Sequence, residues 1–170
     1  MTEDERPEPQ RVADERATLV GFLDFHRATL EWKCAGLSPG QLARRAVPPS
    51  TMSLLGLVRH LADVERGWFD RVETGVRRPP VYYSADDPDG DFDRAAGEPA
   101  VVEDAFASWR GAVDEARAIT ARTPLDATFE HEREGTTSFR WVLTHMIEEY
   151  ARHNGHADLL RQVIDGSTGE

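Results

Sequence analysis

The chain is poor in sulfur, in lysine and in long apolar runs, and each shortage excludes something. One cysteine, Cys34, rules out an intramolecular disulfide and points to a reducing, cytoplasmic setting. The 20 basic residues are arginines apart from Lys33, a bias of GC-rich genomes more than of mechanism. Positive charge is itself scarce: 31 Asp and Glu leave a formal charge of −11 over 170 residues. A polyanion is held chiefly by Lys and Arg neutralising its phosphates, so nucleic acid is excluded as a partner. No apolar run is long enough to span a bilayer, and the charged start, with Pro7 and Pro9, lacks the apolar core of a signal peptide. A membrane is therefore not an expected partner either.

What remains is the length and patterning of one domain. Residues 1–10 read as a disordered arm, 11–166 as the domain and 167–170 as a tail. Leu19, Val20, Leu23, Leu30 and Cys34 recur at helical spacing, and Gly36 follows as a C-terminal stop. Ser38-Pro39 opens a short turn through Leu42. After the break at Pro48-Pro49, Ser50 or Thr51 is placed to cap a second long helix. It carries Leu54, Leu57, Val58, Leu61, Val64, Trp68 and Val72 and runs to Thr74-Gly75. Residues 75–98 form a long irregular connection. A third helix starts near Pro99 with Val102, Phe106, Trp109, Val113 and Ala116 on its stripe and closes at Thr123-Pro124. Residues 126–137 are irregular or a weak hairpin turning at Glu134-Gly135. Ser138 caps a fourth helix, with Trp141, Val142, Met146, Ile147, Leu159, Leu160, Val163 and Ile164, to Asp165-Gly166. The expectation is an all-α four-helix bundle with a long crossover loop between the second and third long helices. Trp32, Trp68, Trp109 and Trp141, one per long helix, read as bundle core or interface.

The fourth helix also carries His145, Glu149, His153 and His156. Steps of four residues drift only about 40° around a helix, so the first three share a face and His156 lies near it. His145 and His153 are about 12 Å apart along the axis and cannot both reach one ion with bonds of about 2 Å. The usable pairs are His145 with Glu149 or Glu149 with His153. His60, flanked by apolar residues on the second long helix, is a third donor. His60, Glu149 and His153 would make a His₂Glu set with an open position, as in catalytic zinc sites. The competing reading is an ion-pair network of these groups with Arg140, Arg152 and Arg161.

The segments Leu54-Leu55-Gly56-Leu57-Val58-Arg59-His60-Leu61-Ala62-Asp63-Val64-Glu65-Arg66-Gly67-Trp68-Phe69 and His145-Met146-Ile147-Glu148-Glu149-Tyr150-Ala151-Arg152-His153-Asn154-Gly155-His156-Ala157-Asp158-Leu159-Leu160-Arg161 resemble the DinB/YfiT-like metal-binding bundles, most of all the actinobacterial mycothiol S-transferase type. Asp14-Glu15-Arg16-Ala17-Thr18-Leu19 and Pro88-Asp89-Gly90-Asp91-Phe92 share the resemblance. It implies one divalent metal held by His60, Glu149 and His153. Most of the superfamily has three His; the Glu here matches the set of mycothiol-dependent maleylpyruvate isomerases, which look like relatives. It further implies zinc, or else nickel, iron or manganese, with mycothiol as thiol cosubstrate, a small-molecule electrophile and a homodimer. His145, His156 and Arg152 lie beside the set, for outer-shell or substrate contacts.

A metal with two neutral His ligands and one carboxylate retains positive charge and favours thiolate in its open position. The function expected is thiol S-transfer. The same ligand set also describes non-haem iron oxygenases, metal-dependent hydrolases or a non-catalytic metal-binding stress protein. Cys34, in an apolar stripe, reads as core and not as the nucleophile. The series Asp87, Asp89, Asp91, Asp93 fails as a calcium loop. Counted from Asp89, the required Gly and Glu places hold Arg94 and Ala100; counted from Asp87, they hold Phe92 and Glu98. It reads as a solvated turn, with Tyr82, Tyr83 and Phe92 walling the site.

Overall fold

The structure is a computed structural model that describes residues 6–131 and 135–169, the side chain of His131 excepted. Its elements are α1 (Glu15–Cys34), α2 (Pro39–Leu42), α3 (Leu54–Thr74), α4 (Gly90–Asp93), α5 (Pro99–Arg122), β1 (Thr128–His131), β2 (Gly135–Ser138) and α6 (Phe139–Asp165). Three long helices start on a side-chain cap. Asp14 Oδ1 accepts from the Ala17 amide at 2.8 Å, Ser53 Oγ from Gly56 at 3.0 Å, and Ser138 Oγ from Trp141 at 3.2 Å. Such caps contribute about 1 kcal/mol each. The cap of α3 is thus Ser53, not Ser50 or Thr51, because only its hydroxyl reaches a free amide of the first turn. α5 begins on Pro99, whose missing N–H costs nothing there. α3 and α6 stop at Gly75 and Gly166, with φ of +74° and +80°, where a side chain would be strained.

Ion pairs and ring contacts give the helix directions. Glu73 near the end of α3 pairs with Arg122 at the end of α5, so these two run the same way. Glu15 pairs with Arg140 at the starts of α1 and α6, and Lys33 with Asp158 towards their ends, so these also run together. α1 opposes α5 through Asp24–Arg117 and Glu31–Arg110, and α3 opposes α6, where Phe69 packs on Phe139 and His60 on His153. The wiring is up, down, down, up. Parallel α3 and α5 force the chain to travel back along the bundle between them, and this is the crossover expected over 75–98. It holds one short helical turn, α4. The segment before α6 is a hairpin, with Thr128 opposite Ser138; residues 132–134, including Glu134 of the expected turn, lie outside the described residues.

The core is fully buried leucine on three helices, with Phe139, Val142 and Met146 from α6. Each such side chain contributes about 1.5–3 kcal/mol through burial. Of the tryptophans only Trp109 is deeply buried. Trp141 is 43% exposed at the rim of the histidine cluster, so of the two readings, core or interface, it is not core.

At the centre, one polar residue from each long helix joins a network. Arg27 on α1 donates Nε and Nη2 to the two carboxylate oxygens of Glu65 on α3, both at 2.8 Å. Tyr150 on α6 donates to Glu65 Oε1 at 2.8 Å, and Trp109 on α5 donates to the Tyr150 oxygen at 2.8 Å. Burial alone would push the Arg27 guanidinium down, but the charge and hydrogen bonds of Glu65 more than offset it and hold it above its ordinary value. Residues 6–10 have no regular structure; Arg6 lies over the rings of Phe25 and Trp32 at 4.8 and 4.5 Å. No helix among the described residues is long and apolar enough to cross a membrane.

Candidate metal centre

The antiparallel crossing of α3 and α6 sets His60 against one turn of α6. The donor atoms of His60, Glu149 and His153 lie within 4.8 Å of one another. Among the described residues no other group of three or more His, Cys, Asp or Glu donors comes so close together. His153 Nε2 stands 3.5 Å from Glu149 Oε2, the i,i+4 contact anticipated from spacing, and the rings of His60 and His153 are 4.8 Å apart. The side chains of His60 and Glu149 are each 25% exposed, so the cluster opens to solvent on one side.

The second nitrogen of each imidazole is engaged. His60 Nδ1 meets Asp91 Oδ2 at 2.8 Å, and His153 Nδ1 meets His156 Nδ1 at 3.3 Å. In the metal-free protein the Nε2–H of His153 faces Glu149; a cation bound there would displace that proton, leaving the ring only the Nδ1–H that His156 can accept. Burial, helped by the nearby charges of His153 and Arg152, keeps His156 below its ordinary value and so favours a neutral acceptor. The Glu149 carboxyl is held below its ordinary value by the hydrogen bond from His153, which outweighs its partial burial, and by the fields of His153, His145 and His60. An ionised carboxylate beside two imidazoles that can each give up an Nε2 lone pair suits a divalent cation.

The other histidine and the arginines occupy different places. His145 Nε2 lies 3.7 Å from Glu149 Oε1, outside the cluster; its ring stacks on Trp141 at 4.9 Å and meets Trp68 edge-on at 4.8 Å. Arg152 is 63% exposed and faces Glu148 at 3.5 Å. Arg140 pairs with Glu15 and Arg161 with Asp165. None of these three pairs takes Glu149, so the rival ion-pair network does not form around it. Phe92 stacks on His60 at 5.5 Å, as a wall residue should, while Tyr82 is buried under Arg59 and Tyr83 contacts Arg77. Cys34 is buried, and burial pushes its thiol up to about 12. The residue missed from sequence is Asp91. It belongs to what reads as a solvated acidic turn yet is buried against His60.

No curated protein matches the chain. A crystal structure of a conserved protein from Enterococcus faecalis aligns with 92% of this chain and 100% of its own, at a TM-score of 0.62 and 13% identity, a likeness of fold. The family model described as Mycothiol-S-transferase matches residues 18–166, a span that takes in both α3 and α6 with their clustered donors. The chain belongs to the mycothiol-S-transferase family, within the DinB/YfiT superfamily.

Proposed function

We propose that the chain is a metal-dependent mycothiol S-transferase in which His60, Glu149 and His153 hold one divalent ion, zinc being the first expectation. The observation that carries this reading is the meeting of those three donors within 4.8 Å in a chain of this family. Two neutral imidazoles and one carboxylate leave a divalent ion with net positive charge. When bound, the metal supplies the field that makes a thiol ionise near neutral pH.

The residues of the chain do the rest. Glu149 is held ionised in the metal-free protein by the hydrogen bond from His153, ready for a cation to take the place of that proton, and His156 meets the other ring nitrogen of His153. Trp141, His145 and Trp68 form an aromatic flank beside Glu149, suited to line the approach of an electrophile. Cys34 takes no part: its thiol is protonated and shut away from the cluster. The attacking sulfur is that of a diffusible thiol: its S–H proton is lost to solvent, a C–S bond forms as the electrophile's leaving group departs with its electron pair, and the product is a thioether. A cytoplasmic location and a homodimer complete the proposal.

The test is conjugation of a generic electrophile by metal-stripped and metal-reloaded protein with mycothiol, glutathione or cysteine. The expected result is turnover that needs both the metal and mycothiol. Absence of turnover with every thiol, with the metal bound, overturns the transferase reading.

A further inference from the structure

The crossover does more than join two parallel helices. It runs back along α3, tied to it at successively earlier positions. Arg78 Nε donates to Asp70 at 2.7 Å. The amides of Val81 and Tyr82 donate to the two oxygens of Asp63 at 2.7 and 2.8 Å. Arg59 then donates to the carbonyls of Gly90 and Asp91 at 3.1 and 2.9 Å while its guanidinium lies over the Tyr82 ring. The last tie lies next to His60, and there the Asp91 carboxylate, 5% exposed, reaches His60 Nδ1.

The fit at this end is close on both sides. A Cβ at Gly90 would come within 2.7 Å of the Tyr82 carbonyl oxygen, and one at Gly56 within 2.6 Å of Phe92 Cδ1. Gly90 lets the crossover fold closely on itself beside Asp91, and Gly56 lets Phe92 seat on α3. Burying a carboxylate is costly without partners. Asp91 has two: Oδ1 accepts from the Phe92 amide at 3.0 Å and Oδ2 faces the imidazole. Phe92 covers one face of the same ring.

We infer that Asp91 is a positioning residue of the metal centre: it holds His60 as the Nδ1–H tautomer, so that Nε2 presents its lone pair to the space shared with Glu149 and His153. The inference rests on the metal reading proposed above. A neutral imidazole carries one ring proton, and a fixed acceptor on Nδ1 decides where it resides. Asp91 stands outside the group of three clustered donors, with Oδ2 on His60 and Oδ1 on the Phe92 amide. The crossover is then the device that delivers a carboxylate to a histidine of the preceding helix, and Arg59 is the clamp that sets its height.

Two readouts besides activity test this. The first is the ring nitrogen resonances of His60 in metal-free wild-type protein at mildly alkaline pH. The Nδ1–H form is expected; the Nε2–H form overturns the inference without recourse to any variant. The second is metal affinity by chelator competition with zinc or cobalt. Asp91→Ala is expected to weaken it about 10- to 100-fold and to release the His60 ring to the Nε2–H form. Asp91→Asn keeps an acceptor oxygen of the same shape, so it is expected to hold the tautomer and recover affinity relative to Ala. Wild-type affinity in Asp91→Ala overturns the proposal. A wild-type protein that binds no metal would instead defeat the metal reading itself.

Discussion

Glu149 is the residue on which the site turns. It reaches His153 along its own helix, His145 on its other side and His60 across the bundle. Replacing Glu149 or His60 with Ala is expected to abolish stoichiometric metal binding, read by elemental analysis, while circular dichroism stays helical. Retention of metal by both variants would sink the assignment. The acid response follows from the lowered carboxyl of Glu149. Its folded-state value lies below the ordinary 4.5, so its contribution to the stability of metal-free protein is complete above that value and is lost as pH falls through the folded one. The stability gap between wild type and Glu149→Gln should therefore close as pH falls through the lowered carboxyl value. Cys34 offers a control. Its thiol, raised to about 12, is protonated at neutral pH, so iodoacetamide should label it only on unfolding and Cys34→Ala should retain transferase activity. The three clustered donors were legible in sequence because two sit four residues apart on one helix and the third lies in an apolar stretch. Asp91 was not, since nothing local tells which Asp of an acidic loop will be buried 31 residues away from its histidine partner.

Among the elements, the helix limits were readable from caps, prolines and stopping glycines, and the error at the start of α3 came from three candidate hydroxyls in a row of four residues, Ser50, Thr51 and Ser53. What patterning hid is the four-helix network. Arg27 and Glu65 interrupt apolar stripes as solvent-facing residues would, and only the packing of α1 against α3 shows them paired and buried. Removing one member strands the other charge, so Glu65→Ala should lower unfolding free energy by about 3–5 kcal/mol in urea titrations. The paired replacement Arg27→Met with Glu65→Leu should recover much of that loss, because two apolar side chains then fill the space. If the paired variant is no more stable than Glu65→Ala, the loss is one of packing and not of stranded charge.

For the whole molecule, the decisive feature is wiring. Two helices that run the same way leave the chain a long return path, and that path lies along α3 and ends at the histidine cluster. The sequence indicated a long connection, but its course along α3 depends on pairings far apart in the chain, such as Tyr82 with Asp63 and Arg59 with Gly90. The same assembly leaves the donor cluster open on one side for a thiol. The most direct measurement is therefore calorimetric titration of mycothiol into metal-loaded and metal-stripped protein at neutral pH, in buffers of different ionisation enthalpy. Binding of the sulfur as thiolate predicts release of about one proton per thiol from the metal-loaded protein and none from the stripped protein. Metal-loaded protein that binds no thiol, or binds it without proton release, would contradict the assignment.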